Sequence, residues 1–178
     1  MMRIKITFLV LVSFLLIGTN LNAQSSLAAG TQIVMADESK KKIEEIAVGD
    51  EILVFNAKDK VYEEREVTKI NKVMMNRLVR VTLENGVQLI MTVEHPILAE
   101  KGWASIDPNQ TMINKKYQQV ARYNLGEFTL FYNVTTTDYV EVNIIQGILD
   151  PINTYSLEVE DNTENDAIVA NGFLVGLN

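Results

Sequence analysis

The chain has 178 residues, 47% of them hydrophobic and 22% charged, which bounds it to one globular domain with room for a small appendage. It has no Cys and a single histidine, His95. That excludes disulfides, thiolate metal sites, iron–sulfur ligation, a cysteine nucleophile and any site needing two imidazoles from one chain. The net charge is −7, and setting aside Arg3 and Lys5 leaves 14 cations against 23 carboxylates, a net of −9. So acidic a chain repels phosphate backbones and anionic lipid, so no nucleic acid and no membrane surface is expected as partner.

The first 23 residues run basic, apolar, polar. Arg3 and Lys5 precede an apolar run over residues 8–18, and a polar stretch ending in Ala23 follows. This is the order of a secretory signal, and the run is short for a permanent membrane span. The expectation is a signal peptide over residues 1–23, cut after Ala23 or, alternatively, after Ala28. An uncleaved N-terminal anchor is the other reading of the same residues. No Cys follows the run, so a lipidated-cysteine anchor is excluded. The remaining domain, residues 24–178, is then exported to the periplasm or the extracellular space.

From residue 31 onward the pattern is that of short strands between turns. Residues 31–35 and 51–55 are apolar and β-branched, separated by an amphipathic piece at 40–46 and the turn Val48-Gly49-Asp50. Residues 61–73 form a long β-branched run. Residues 78–83 alternate apolar and polar, Glu84-Asn85-Gly86 follows, and 87–92 resumes the strand. Strand, Asn-Gly, strand is a hairpin signature. Ile97-Leu98, Gly102-Trp103, 128–132, 139–145 and 154–160 add further strands. Residues 168–170 and 173–175 flank Asn171-Gly172 as a last hairpin. Residues 106–126 carry no readable pattern, and no repeat of fixed period is evident. Many short strands without helical repeats argue an all-β fold. The expected core is Trp103 with Ile33, Ile52, Leu53, Val79, Val81, Leu89, Met91, Leu157, Val159, Phe173 and Val175.

Four segments, in order, resemble the Hint family of hedgehog and intein self-processing domains. The first runs from Ser26 through Gly30-Thr31 and Ala36-Asp37 to Val48-Gly49-Asp50. The second is Asn85-Gly86 through Thr92-Val93-Glu94-His95-Pro96, similar to the family's Thr-x-x-His block, with Gly102-Trp103 behind it. The third is residues 154–160 and the fourth residues 170–175. The resemblance implies a horseshoe of short strands and hairpins with pseudo-two-fold symmetry, whose two ends meet at one site. It also implies a chemistry. Ser26 stands where the family's nucleophile stands, Thr92 and His95 where its amide-nitrogen partners stand, and Asn178 where its terminal asparagine stands. Ser26 would attack the preceding carbonyl in an N–O acyl shift, with neither cofactor nor metal.

Physical chemistry supports part of this. An amide nitrogen leaves only if a proton meets it, and an imidazole suits that task. A serine hydroxyl is a weak nucleophile unless activated, and residues 25–26 also suit a flexible mature terminus. Gly176 or Leu177 stands where the family has a penultimate histidine, and the polar loop at 161–166 has no imidazole. Nothing follows Asn178, so complete splicing is not expected. The resulting expectation is autoprocessing that is vestigial or single-step. A non-catalytic exported binding or structural module is the alternative, with a protein partner that the residues do not identify. A hydrolase using Ser26 and His95 on an external substrate is a third reading.

Overall fold

The computed structural model describes residues 25–134 and 136–177, of Asn114 the backbone only. The expected signal segment 1–23 and Asn178 lie outside the described residues. The strands in chain order are β1 (Leu27–Ala28), β2 (Gln32–Val34), β3 (Lys40–Lys42), β4 (Glu51–Asn56), β5 (Val61–Met75), β6 (Leu78–Leu83), β7 (Gln88–Thr92), β8 (Ile97–Ala99), β9 (Gly102–Ser105), β10 (Ala121–Arg122), β11 (Phe128–Asn133), β12 (Thr136–Ile148), β13 (Ile152–Val159), β14 (Asp166–Ala170) and β15 (Phe173–Gly176). Helix among the described residues is confined to single turns at Ile43–Glu45, Pro108–Thr111 and Met112–Asn114. The all-β reading therefore holds. No helix among the described residues is long and apolar enough to cross a membrane.

Both expected hairpins form. β6 and β7 pair from Leu78↔Thr92 to Thr82↔Gln88 across the Asn85-Gly86 turn. β14 and β15 are joined by Asn171 at φ 49° and Gly172 at φ 87°. Two successive left-handed residues match the twist of the flanking strands. Gly172 is required a second time, because a Cβ there would run into the Phe131 ring.

Two long strands organise the rest. β5 pairs with β4 through Glu66 and with β13 from Val67 onward. β12 pairs with β11 through Glu141 and with β6 from Val142 onward. Each change of partner falls on a buried valine. The Val67 N–H donates to the Asp50 carbonyl at 2.9 Å, and its own carbonyl accepts from Gly49 at 2.9 Å. The Val142 N–H donates to the Glu127 carbonyl at 2.9 Å, and its carbonyl accepts from Gly126 at 3.0 Å. Gly49 and Gly126 have φ of 93° and 78°. A register irregularity accompanies each crossing, as expected where a strand bends from one sheet to another. The two halves are thus related by a pseudo-two-fold about β1, which lies between β7 and β13. This is the pseudo-two-fold symmetry that the resemblance implied, although no repeat of fixed period marks it in the sequence. The shared residues reduce to a glycine followed by a carboxylate and, well downstream, a valine.

Ten of the twelve expected core residues are buried. Leu53 and Trp103 are only half-buried. Ile52 and Val54 point inward on β4, so the period-2 alternation sends Leu53 to the opposite face, where it packs on a smaller cluster with Val34 and Phe55. Trp103 sits on β9, near the sheet's end, edge-on to Tyr117 at 5.0 Å. The unread segment 106–126 becomes a capped helical turn followed by a short edge strand. Asp107 accepts from the Gln110 N–H at 3.4 Å with Pro108 in the first turn, and β10 runs parallel to β9.

Leu157, 3% exposed, lies at the centre of the main core. Leu157→Ala is expected to cost about 2–5 kcal/mol, read as a lower urea midpoint at unchanged slope. An unchanged midpoint would place Leu157 outside the packed core.

Candidate functional site

The sharp turn after β7 builds the site. The His95 N–H donates to the Thr92 carbonyl at 3.2 Å, closing residues 92–95. A buttress fixes this turn from behind. The Asp107 N–H donates to the Val93 carbonyl at 2.9 Å, and the Thr111 hydroxyl donates to the Glu94 carbonyl at 2.7 Å. The Ser105 hydroxyl lies 2.7 Å from that of Thr111 and completes the chain. Glu94, Ser105 and Thr111 sit in the interior, where an unmade bond would be costly.

β1 lays the start of the domain against this turn. Leu27 pairs with Met91 on one side and Tyr155 on the other. The Thr92 N–H donates to the Ser26 carbonyl at 3.0 Å, and the Ser26 N–H donates to Thr92 Oγ1 at 3.2 Å. Ser25 and Ser26 are 2% and 5% exposed, so from residue 25 onward this is no flexible terminus. The Thr92 hydroxyl therefore addresses the nitrogen of the Ser25–Ser26 peptide bond.

β15 brings the other end. It pairs with β8 at Val175↔Ile97, and the Gly176 N–H donates to the Pro96 carbonyl at 2.9 Å. His95 is enclosed between the two ends, with the backbones of Gly176 and Ser26 facing its ring. Burial drives the imidazole pKa down to about 3, and those backbone groups pull it partly back. Neither ring nitrogen has a partner of hydrogen-bond geometry among the described residues. At neutral pH the ring is uncharged, with one N–H and one basic nitrogen.

Three of the four sequence-derived residues, Ser26, Thr92 and His95, come together; Asn178 lies outside the described residues. Three others at the site were not anticipated. Glu94 is 6% exposed, and burial raises its carboxyl above the ordinary range, with the Thr92 hydroxyl beside it acting in the opposite sense. Lys116 Nζ donates to the Leu177 carbonyl at 2.9 Å, and the Tyr117 hydroxyl donates to the same oxygen at 3.0 Å. Glu94 stood inside the Thr-x-x-His block and was passed over. Lys116 and Tyr117 lie in a segment with no periodicity to mark them.

No group of three His, Asp or Glu side chains among the described residues is arranged to hold a metal ion. A cleft of about 700 Å³ borders Trp103, Met112, Tyr117 and Glu164 and is not lined by Ser26, Thr92 or His95. Ser26, Thr92 and His95 face the chain's own backbone.

This architecture, two pseudo-symmetric halves that seat both chain ends on one Thr-x-x-His turn, is the Hint fold. The structure is similar to a DnaB intein from Synechocystis sp. PCC 6803 at TM-score 0.70 and 15% identity, covering 87% of this chain and 99% of the intein. A bacterial intein-like domain from Clostridium thermocellum matches at TM-score 0.65 and 20% identity, over 85% and 97% of the two chains. A gp41-1 intein matches at TM-score 0.63 and 22% identity, over 85% and 98%. No family model matches the sequence, and neither does any curated protein. At these identities the likeness establishes the fold.

The depressed His95 pKa has a measurable consequence. The unfolded chain binds a proton near the ordinary value of 6.5, and the folded chain only near 3. The contribution of His95 to stability is therefore whole above pH 6.5 and declines as pH falls through that window, by at most about 1.4 kcal/mol per pH unit. His95→Gln should flatten this decline relative to the unaltered chain when urea midpoints are compared between pH 7 and pH 4. Parallel curves would show that the imidazole titrates normally.

Proposed function

We propose that the protein is an exported self-processing Hint domain whose chemistry is a single step at Ser26. The observation that carries this reading is the Ser26 N–H donating to Thr92 Oγ1 with the His95 ring against the same backbone. In the step, the Ser26 hydroxyl oxygen bonds to the carbonyl carbon of Ser25. The carbon–nitrogen bond breaks, the hydroxyl proton is given up and the freed nitrogen takes one, leaving an ester and an amine. A neutral imidazole has one acceptor nitrogen and one N–H, so a proton taken at the first and given from the second leaves the ring neutral, with no buried imidazolium left behind. Thr92 holds the nitrogen in the direction of departure.

The fold supplies the precedent: the structures this chain resembles are inteins and an intein-like domain. The chemistry stops at the ester, since Gly176 or Leu177 stands where the family has its penultimate histidine. Enclosure of the site favours the chain itself as substrate over an external one: Ser26 is 5% and His95 3% exposed. Export rests on the basic, apolar, polar order of residues 1–23.

A carrier protein fused ahead of residue 24 makes the step visible. Hydroxylamine should trap the ester and release the carrier at the Ser25–Ser26 bond. Ser26→Cys should release it faster, because a thiolate forms more readily near neutral pH. His95→Ala should abolish release. A folded Ser26→Cys fusion that stays intact in hydroxylamine would identify a non-catalytic Hint-fold module instead.

A further inference from the structure

The end of the chain is held by a device that the acyl shift at Ser26 does not itself require. Immediately after β15, the Leu177 carbonyl accepts two hydrogen bonds from the segment between α1, the turn at Pro108–Thr111, and β10: one from Lys116 Nζ and one from the Tyr117 hydroxyl. Lys116 is braced by Asn162 Oδ1 at 2.8 Å and stacks its ammonium 5.5 Å over the Tyr117 ring. Tyr117 is 2% exposed, and Trp103 packs edge-on against it. Gly176 is shaped to this arrangement: a Cβ there would collide with the Tyr117 hydroxyl and with the Pro96 ring. The same Gly176 donates to the Pro96 carbonyl and presents its backbone to the His95 ring. One short stretch of chain is thus clamped by Lys116 and Tyr117 at Leu177 and, a residue earlier, walls the imidazole.

We infer that Lys116 and Tyr117 are positioning residues for His95: by gripping the Leu177 carbonyl they seat the chain end on the imidazole, exclude water from it and fix its approach to Ser26. An ammonium and a phenol on one carbonyl make a strong, directional anchor, since hydrogen bonds from charged donors exceed neutral ones. The carboxylates facing Lys116 are Asp166 on β14 and Glu158 on β13. The groups acting on the His95 ring are the uncharged backbones of Gly176 and Ser26. Burial lowers Lys116 to about 8, so the anchor is charged at neutral pH and weakens in mildly alkaline solution. The effect on rate rests on the reading of Ser26 as the processed residue; the effect on the imidazole does not.

Because His95 is the only histidine, its ring resonances report on the site without ambiguity. In the full chain the ring should stay in its neutral form down to about pH 5. Lys116→Met and Tyr117→Phe, singly and together, should move the ring resonances at neutral pH and raise the onset of protonation by about one pH unit or more as water reaches the ring. Lys116→Arg should restore the original behaviour. Tyr117→Phe removes a single oxygen and keeps the packed ring, so it serves where the double variant fails to fold. In the hydroxylamine assay the same variants should slow release about tenfold with folding intact. Ring resonances and onset unchanged in Tyr117→Phe and Lys116→Met would overturn the inference. A chain that never releases its carrier, yet shows the shifts in the ring, would overturn the Ser26 reading and leave the positioning role standing.

Discussion

The structure depends on two crossings, at Val67 and Val142, where a long strand leaves one partner and takes another. A strand that bends this way must leave a step in its ladder, and the backbone groups at the step still need partners. Here each valine is satisfied by both neighbours of a left-handed glycine turn, Gly49-Asp50 in one half and Gly126-Glu127 in the other. Burying the valine side chain ties the bend to the core. With both crossings in place, β4 and β11 fold toward one layer while β13 and β6 continue in the other, and β1 fills the axis between the halves. The two ends of the domain meet because the halves that carry them are related by that axis.

The meeting place is closed, which sets its electrostatics. Three hydroxyls, the Thr92 oxygen and several backbone amides supply hydrogen bonds, while the ionisable groups there are shifted toward neutrality: His95 down, Glu94 up. This is how a dry interior treats charge that lacks a close counter-ion. Burial shifts Lys116 the same way, down to about 8, but Asp166 and Glu158 pull it partly back, so it keeps its charge at neutral pH. Within a chain of net charge −7, the cation at this end of the site is therefore placed rather than incidental.

Much of this was legible beforehand because it depends on local chemistry. Asn85-Gly86 and Asn171-Gly172 mark hairpins through the backbone angles they tolerate, and the alternation of residues 78–83 marks which face is buried. Thr92 and His95 were readable through the resemblance of their block to Thr-x-x-His, a spacing that the tight turn at 92–95 keeps. Leu53 and Trp103 were misplaced because hydrophobicity does not say which of two faces or which part of the sheet a residue occupies. β12 proved longer than residues 139–145 because Thr136, Thr137 and Asp138 pair with β11 in a region where polar side chains face solvent. Lys116 and Tyr117 were illegible because their roles exist only through a carbonyl some 60 residues away in sequence. The pseudo-two-fold symmetry came only from the resemblance, because backbone hydrogen bonds, which define both crossings, impose little on side-chain identity.

β1 comprises two residues held by a few ladder pairs, Leu27↔Tyr155, Ala28↔Thr154 and Leu27↔Met91. Short strands of this kind open locally at far less free energy than global unfolding. The peptide bond between Ser25 and Ser26 runs straight into that strand and is buried with it against Thr92, so a dissolved reagent meets it only when this stretch opens. Any reaction with an outside nucleophile would then keep time with amide hydrogen exchange at Leu27 and Ala28, and its rate would report the breathing of two residues as much as the reactivity of the bond that precedes them.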